Sequence, residues 1–233
     1  TADASLQFAV ANASLAVGLA AGSRQEVDRA LDALDKVLEI WTFTPYTANH
    51  IQAAYTQALA LTSLAFIPPR HEGHKGSGNP DQEAGRTDSP LDGLGGNTGR
   101  DLAKLLTPSD FEAGMEALGK AAAILERIAY YDRTNPTLSQ KCAGDLFKAY
   151  LTLAEIHAVT GAMSVINGEA DGEEHHAAAV QALDRARELA GGEGAETIAQ
   201  MEKFLGEARL KTAAIRMLMR LTGRTSQDLL VAP

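Results

Sequence analysis

Apolar residues recur along most of this chain at the three-to-four-residue spacing of a helix, and no run alternates at the two-residue period of a strand. Leu6, Val10, Ala13 and Val17 fall on one helix face, and Phe8, Leu15 and Leu19 fall on the opposite one. No charge interrupts Ala4 to Ser23, so the pattern predicts a first helix sandwiched between neighbours, with Leu15 buried. Gly22-Ser23 breaks it, and Ser23 stands three residues before Glu26, the capping-box spacing. The second predicted helix carries Val27, Leu31, Leu34, Leu38 and Trp41 on one stripe and charges elsewhere, the signature of an amphipathic outer helix. Pro45 closes it.

A third helix is expected over 48–67. Ile51, Tyr55, Ala58, Thr62 and Ala65 share one face, with Ala53, Ala60, Leu64 and Ile67 opposite. Between His50 and Arg70 there is no Asp, Glu, Lys or Arg, so this is a second uncharged, two-sided helix, and Leu64 should be buried. Pro68-Pro69 stops it. From Pro68 to Arg100 the period vanishes, and 8 of the 21 glycines and 4 of the 8 prolines fall there, which predicts a long loop insertion reaching to about residue 106.

Helical pattern resumes at Thr107-Pro108-Ser109-Asp110. A fourth helix should run to about Tyr131, burying Phe111, Met115, Leu118, Ala122, Leu125 and Ile128. A fifth is expected over 138–166 with Leu146, Tyr150, Leu153, His157 and Ala158. A sixth should run over 173–189, ending at Gly191-Gly192, and a last one over 195–221. The expectation is therefore one all-α domain over 1–233. It has about seven helices in antiparallel hairpins, one long inserted loop at 68–106, and a C-terminal capping helix and tail at 193–233.

Small residues on the outer helices repeat. Ala30, Leu34 and Val37 are spaced four then three apart, as are Ala121, Leu125 and Ile128, and Ala179, Leu183 and Ala186. A breaker follows each triplet, at Pro45, Pro136 and Gly191. Val17-Gly18, Leu59-Ala60 and Leu153-Ala154 stand in the preceding inner helices. Over residues 5–191 this pattern resembles the tetratricopeptide repeat (TPR). The first hairpin keeps that family's offset between the Leu-Gly pair and the second-helix Ala, whereas the later two lengthen it, and the family's first-helix Tyr is absent at Ala21, Ser63 and His157. The resemblance implies a short TPR-like solenoid; the residue pattern by itself equally fits an irregular helical bundle.

Composition narrows the function. The 233-residue chain carries a net charge of −9, which argues against nucleic acid and an anionic membrane surface as partners. The first helix is mostly Ala with Gln7, Asn12, Ser5 and Ser14, whereas a span needs about 20 strongly apolar residues, so a soluble protein with no membrane span is expected. The chain opens Thr1-Ala2-Asp3 rather than with Met, which leans toward an exported, periplasmic protein that has lost its leader. Cys142 is the single cysteine, so no internal disulfide and no multi-Cys metal site can form. It sits beside Lys141, which could lower its pKa, yet a buried structural thiol is the better expectation.

Candidate chemistry is sparse. His71 and His74 stand in the loop, and His175 and His176 at the start of the sixth helix. Four imidazoles could hold a divalent transition metal if the loop folded back. Adjacent His175 and His176 point about 100° apart on a helix, which disfavours that arrangement. The glycines over 93–99 lack the Gly-Lys-Ser/Thr ending of a phosphate loop, and the loop acids do not match an EF-hand. Arg209, Arg216 and Arg220 align within about 40° on the last helix. They suit phosphate or an acidic partner, although a solvated face is the ordinary reading. No catalytic constellation emerges. In the solenoid that the resemblance implies, the inner helices line a concave wall, which would display Asn12, Gln52, Tyr55, Tyr150 and His157. The expected function is a non-enzymatic scaffold that binds a protein or peptide without a cofactor, its oligomeric state left open. The alternative is a helical metal- or small-ligand-binding protein using the four histidines.

Overall fold

The computed structural model describes residues 2–44, 47–67, 108–169, 171–191 and 194–222. Among them the chain forms eight helices and no strand: α1 (Ala2–Ala21), α2 (Arg24–Ile40), α3 (Thr47–Phe66), α4 (Pro108–Thr134), α5 (Leu138–Lys141), α6 (Ala143–Ile166), α7 (Gly172–Leu189) and α8 (Ala195–Thr222). The inserted loop expected at 68–106 and the tail beyond Thr222 lie outside the described residues, as do His71 and His74.

The helices pair in sequence. α1 packs on α2, α3 on α4 and α6 on α7, while α2–α3, α4–α6 and α3–α6 contacts stack the three pairs and α8 closes the array against α6 and α7. Two tight turns make the first and last hairpins. Gly22 and Gly168 adopt φ of 58° and 79°, the left-handed region that glycine enters without a steric cost. After α1, the Ser23 N–H donates to the Gly18 carbonyl at 2.8 Å. After α6, the Glu169 N–H donates to the Ser164 carbonyl at 2.8 Å and the Gly168 N–H to the Val165 carbonyl at 3.0 Å. This wrap-around bonding satisfies carbonyls that a helix end leaves open.

The core runs continuously from Leu15 to Leu205 through every hairpin, with a smaller cluster of Ala4, Ala11, Leu34, Val37, Trp41 and Ala53 at the N-terminal end. All nine residues of the repeated triplets are buried. Small side chains there let helices approach closely, within about 8–10 Å between axes. Gly18 shows the same closeness, since a Cβ added to it would lie 2.8 Å from Val27 Cγ2.

α3 is two-sided, as its pattern requires. Ile51, Ala53, Ala58, Ala60 and Leu64 are all buried, and the Thr56, Thr62 and Ser63 hydroxyls donate to carbonyls one turn back at 2.7–2.9 Å. Those bonds satisfy the hydroxyls that an apolar setting would otherwise strand.

α1 departs from expectation. Leu15 is buried, at 4% exposure, yet Leu6, Val10 and Val17 are 65%, 53% and 55% exposed. Among the described residues α1 has neighbours on one side only, and Ala4, Ala11, Leu15 and Gly18 occupy that side. Among the described residues nothing covers its second apolar stripe. Ser23 also makes no side-chain cap: its carbonyl accepts from the Glu26 and Val27 N–H groups, and the Glu26 carboxylate pairs with Arg29 instead. The expected fifth helix is divided at Cys142, whose φ of −128° and ψ of 25° turn the axis between α5 and α6. The bend sets Leu138 into the core and Ser139 against the end of α4.

Candidate functional site

Polar side chains gather at three places among the described residues. The first is interior. Asp132, at the end of α4, has a fully buried side chain. Its Oδ2 accepts from Arg185 Nε of α7 at 2.9 Å and from the Tyr150 hydroxyl of α6 at 3.0 Å, while Oδ1 accepts from Ser139 of α5 at 2.7 Å. Arg185 Nη2 also donates to Ser139 Oγ at 2.8 Å. Burial pushes the Asp132 carboxyl up, but the hydrogen bonds from Arg185, Ser139 and Tyr150 and the Arg185 charge outweigh it and hold the group below its ordinary value. Burial and the neighbouring carboxylate push the Tyr150 phenol up to about 12. Every strong donor and acceptor here is matched within the protein, so the cluster clamps four helices and offers nothing to a substrate.

The second place is the α6–α7 seam. His157 Nδ1 lies 3.2 Å from His175 Nδ1, so one ring donates and the other accepts. His157 Nε2 is 3.5 Å from Glu126 Oε1 and His175 Nε2 is 3.6 Å from Asp171 Oδ2. Burial lowers the His157 pKa, Glu126 opposes that and His175 adds to it.

The third is a cleft of about 410 Å³ between α6, the start of α7 and the second half of α8. Ala158, Ala162 and Val165 of α6 and Ala208 and Ala213 of α8 form its apolar lining. Arg209, Arg216 and Arg220 of α8 edge it, joined by His176. The walls close tightly where α7 begins: a Cβ on Gly172 would lie 2.5 Å from Val165 Cγ2 and 3.1 Å from the Gly161 carbonyl. The arginine stripe legible in the sequence therefore faces a concavity as well as solvent.

The residues expected to form a single wall are divided. Asn12 and Gln52 are exposed on α1 and α3. Tyr55 is half-buried at the α3–α6 contact, where its phenol bonds Thr152 and burial pushes its pKa up. Tyr150 and His157 are buried, because their polar atoms are claimed by Asp132 and by His175. The expected histidine set divides as well. His175 turns to His157 and His176 to the cleft. Among the described residues no three His, Cys, Asp or Glu side chains converge as a metal site. Cys142 is buried, and desolvation and Asp145 raise its pKa against the smaller opposing effect of Lys141, so its thiol is unreactive rather than activated.

One group was missed in the sequence. Glu155 of α6 lies beside Tyr55, has no hydrogen bond or ion pair among the described residues, and is pushed up to about 7 by burial. Its signal was present: it is the single charged residue between Lys148 and Asn167.

No protein-family model, curated protein or solved structure matches this chain.

Proposed function

We propose that this chain is a non-enzymatic scaffold of TPR-like helical hairpins that holds one apolar helix face open for a helical segment of a partner protein. The observation that carries the reading is the outer side of α1. Leu6, Val10, Ala13 and Val17 are spaced four, three and four apart, and the three large ones are more than half exposed. A stacked helical array ordinarily ends in a polar face, and a contiguous exposed apolar patch marks a contact site. The spacing is that of a helix-pairing seam, where a second helix seats its own side chains between these anchors. By length and composition α1 could also cross a membrane. Its other side, however, is committed to α2 through Ala4, Ala11, Leu15 and Gly18, which favours a partner that covers one stripe.

The double variant Leu6→Glu/Val17→Glu tests this. Both positions are more than half exposed, so stability should change by no more than about 0.5 kcal/mol, or about 2 °C in Tm. Capture of a protein that the unaltered chain retains from its source extract should fall at least about tenfold, the loss of roughly 1.4 kcal/mol. Equal retention by the two forms would refute the assignment.

A further inference from the structure

We propose that the α6–α7–α8 cleft binds a small phosphate monoester with an apolar tail. The volume of about 410 Å³ lies within the roughly 300–1,000 Å³ that small-ligand sites occupy. Its lining combines two chemistries: Ala158, Ala162 and Val165 of α6 supply an apolar wall, and Arg209, Arg216 and Arg220 of α8 supply cations, with Thr212 and the Glu173 carboxylate beside them.

The arginines are poorly neutralised. Arg216 meets Glu173 Oε1 at 3.2 Å, whereas Arg209 and Arg220 have no hydrogen bond or ion pair among the described residues. Like charges one turn apart on a helix, as Arg216 and Arg220 are, repel by a few tenths of a kcal/mol. This chain carries −9 overall and yet sets three arginines against one carboxylate, Glu173, at this concavity. A local positive field in an acidic protein draws anions to that place.

The head group follows from spacing. Arg216 and Arg220 are one turn apart, about 6 Å along the axis, so their planar forks can reach one tetrahedral dianion together. His176 stands at the same cleft and adds a donor. The tail follows from the alanines, which leave room beside the α6 backbone and offer no polar atom of their own.

Isothermal titration of the intact chain with octyl phosphate, held below its micelle concentration, tests the site against inorganic phosphate. Octyl phosphate should saturate one site below about 1 mM, with inorganic phosphate at least about tenfold weaker. Arg209→Gln/Arg220→Gln should weaken octyl phosphate by about tenfold or more, with helix content unchanged because both side chains are exposed. Ala162→Leu, which fills the lining, should weaken octyl phosphate and leave inorganic phosphate unaltered. The proposal is overturned by no saturable binding of octyl phosphate, by equal affinity for inorganic phosphate, or by binding that neither variant diminishes.

Discussion

Replacing Asp132 with alanine should cost the fold about 4 kcal/mol, in the range that breaking a buried ion pair ordinarily costs. The carboxylate joins α4 to α5, α6 and α7 through Ser139, Tyr150 and Arg185. Its removal leaves a guanidinium, a phenol and a hydroxyl without their shared acceptor. Tyr150 keeps a weak alternative, the Ala129 carbonyl at 3.5 Å, and Arg185 keeps Glu188, so the loss stays below that of a wholly stranded charge. Urea unfolding at neutral pH measures it, and a loss under about 1 kcal/mol would show that the cluster is incidental. The pH dependence has a definite sign. The folded carboxyl titrates below its unfolded counterpart, so its contribution is complete above the unfolded value and disappears as pH falls through the folded one. Asp132→Asn should lack that acid limb.

Glu155→Gln should do the opposite and stabilise the protein above pH 7. A carboxyl pushed from 4.5 up to about 7 is charged at a cost of roughly 3 kcal/mol. A neutral amide of the same shape should recover about 2 kcal/mol of that, some being lost to the amide's own desolvation. Between 4.5 and 7 the folded state binds the extra proton, so this group's contribution is present below 4.5 and lost as pH rises through about 7. His157 works in the other direction. Its folded pKa is lowered, so acidification below the ordinary histidine value destabilises the native state. The difference between the unaltered chain and Glu155→Gln removes the histidine contribution common to both. That difference should be near zero at pH 4 and largest at pH 8; a gain independent of pH would mean that charge burial is not its cause.

Helix existence was legible because periodicity reports it directly: the described long helices from α1 to α7 follow apolar positions at helical spacing, and the turns follow Gly22 and Gly168. The triplets Ala30-Leu34-Val37, Ala121-Leu125-Ile128 and Ala179-Leu183-Ala186 are buried because small residues suit helix crossings. Periodicity says which residues share a face, not whether a neighbour covers it. That is why α3 matched its two-sided pattern and α1, at the end of the array, did not. The bend at Cys142 left only a weak signal, Gly144 two residues on, which a helix interior also tolerates. Partnerships between distant residues were illegible for a different reason. Asp132 and Arg185 are 53 residues apart and His157 and His175 are 18 apart, so the sequence suggests a packed His157, and only the stacking of hairpins reveals which groups Tyr150 and His157 meet. The α8 arginines were legible as a stripe, and the cleft beside them appears once α6 and α7 are in place.

The central claim is that the exposed stripe of α1 is a protein contact surface. A photoreactive benzoylphenylalanine at Val10 probes it directly, with the same residue at the exposed Lys36 of α2 as the reference. Irradiation in the source extract should join the Val10 form to a discrete protein, a second copy of this chain included, that the Lys36 form does not capture. Adducts confined to lipid, or protein adducts identical from both positions, would contradict the account.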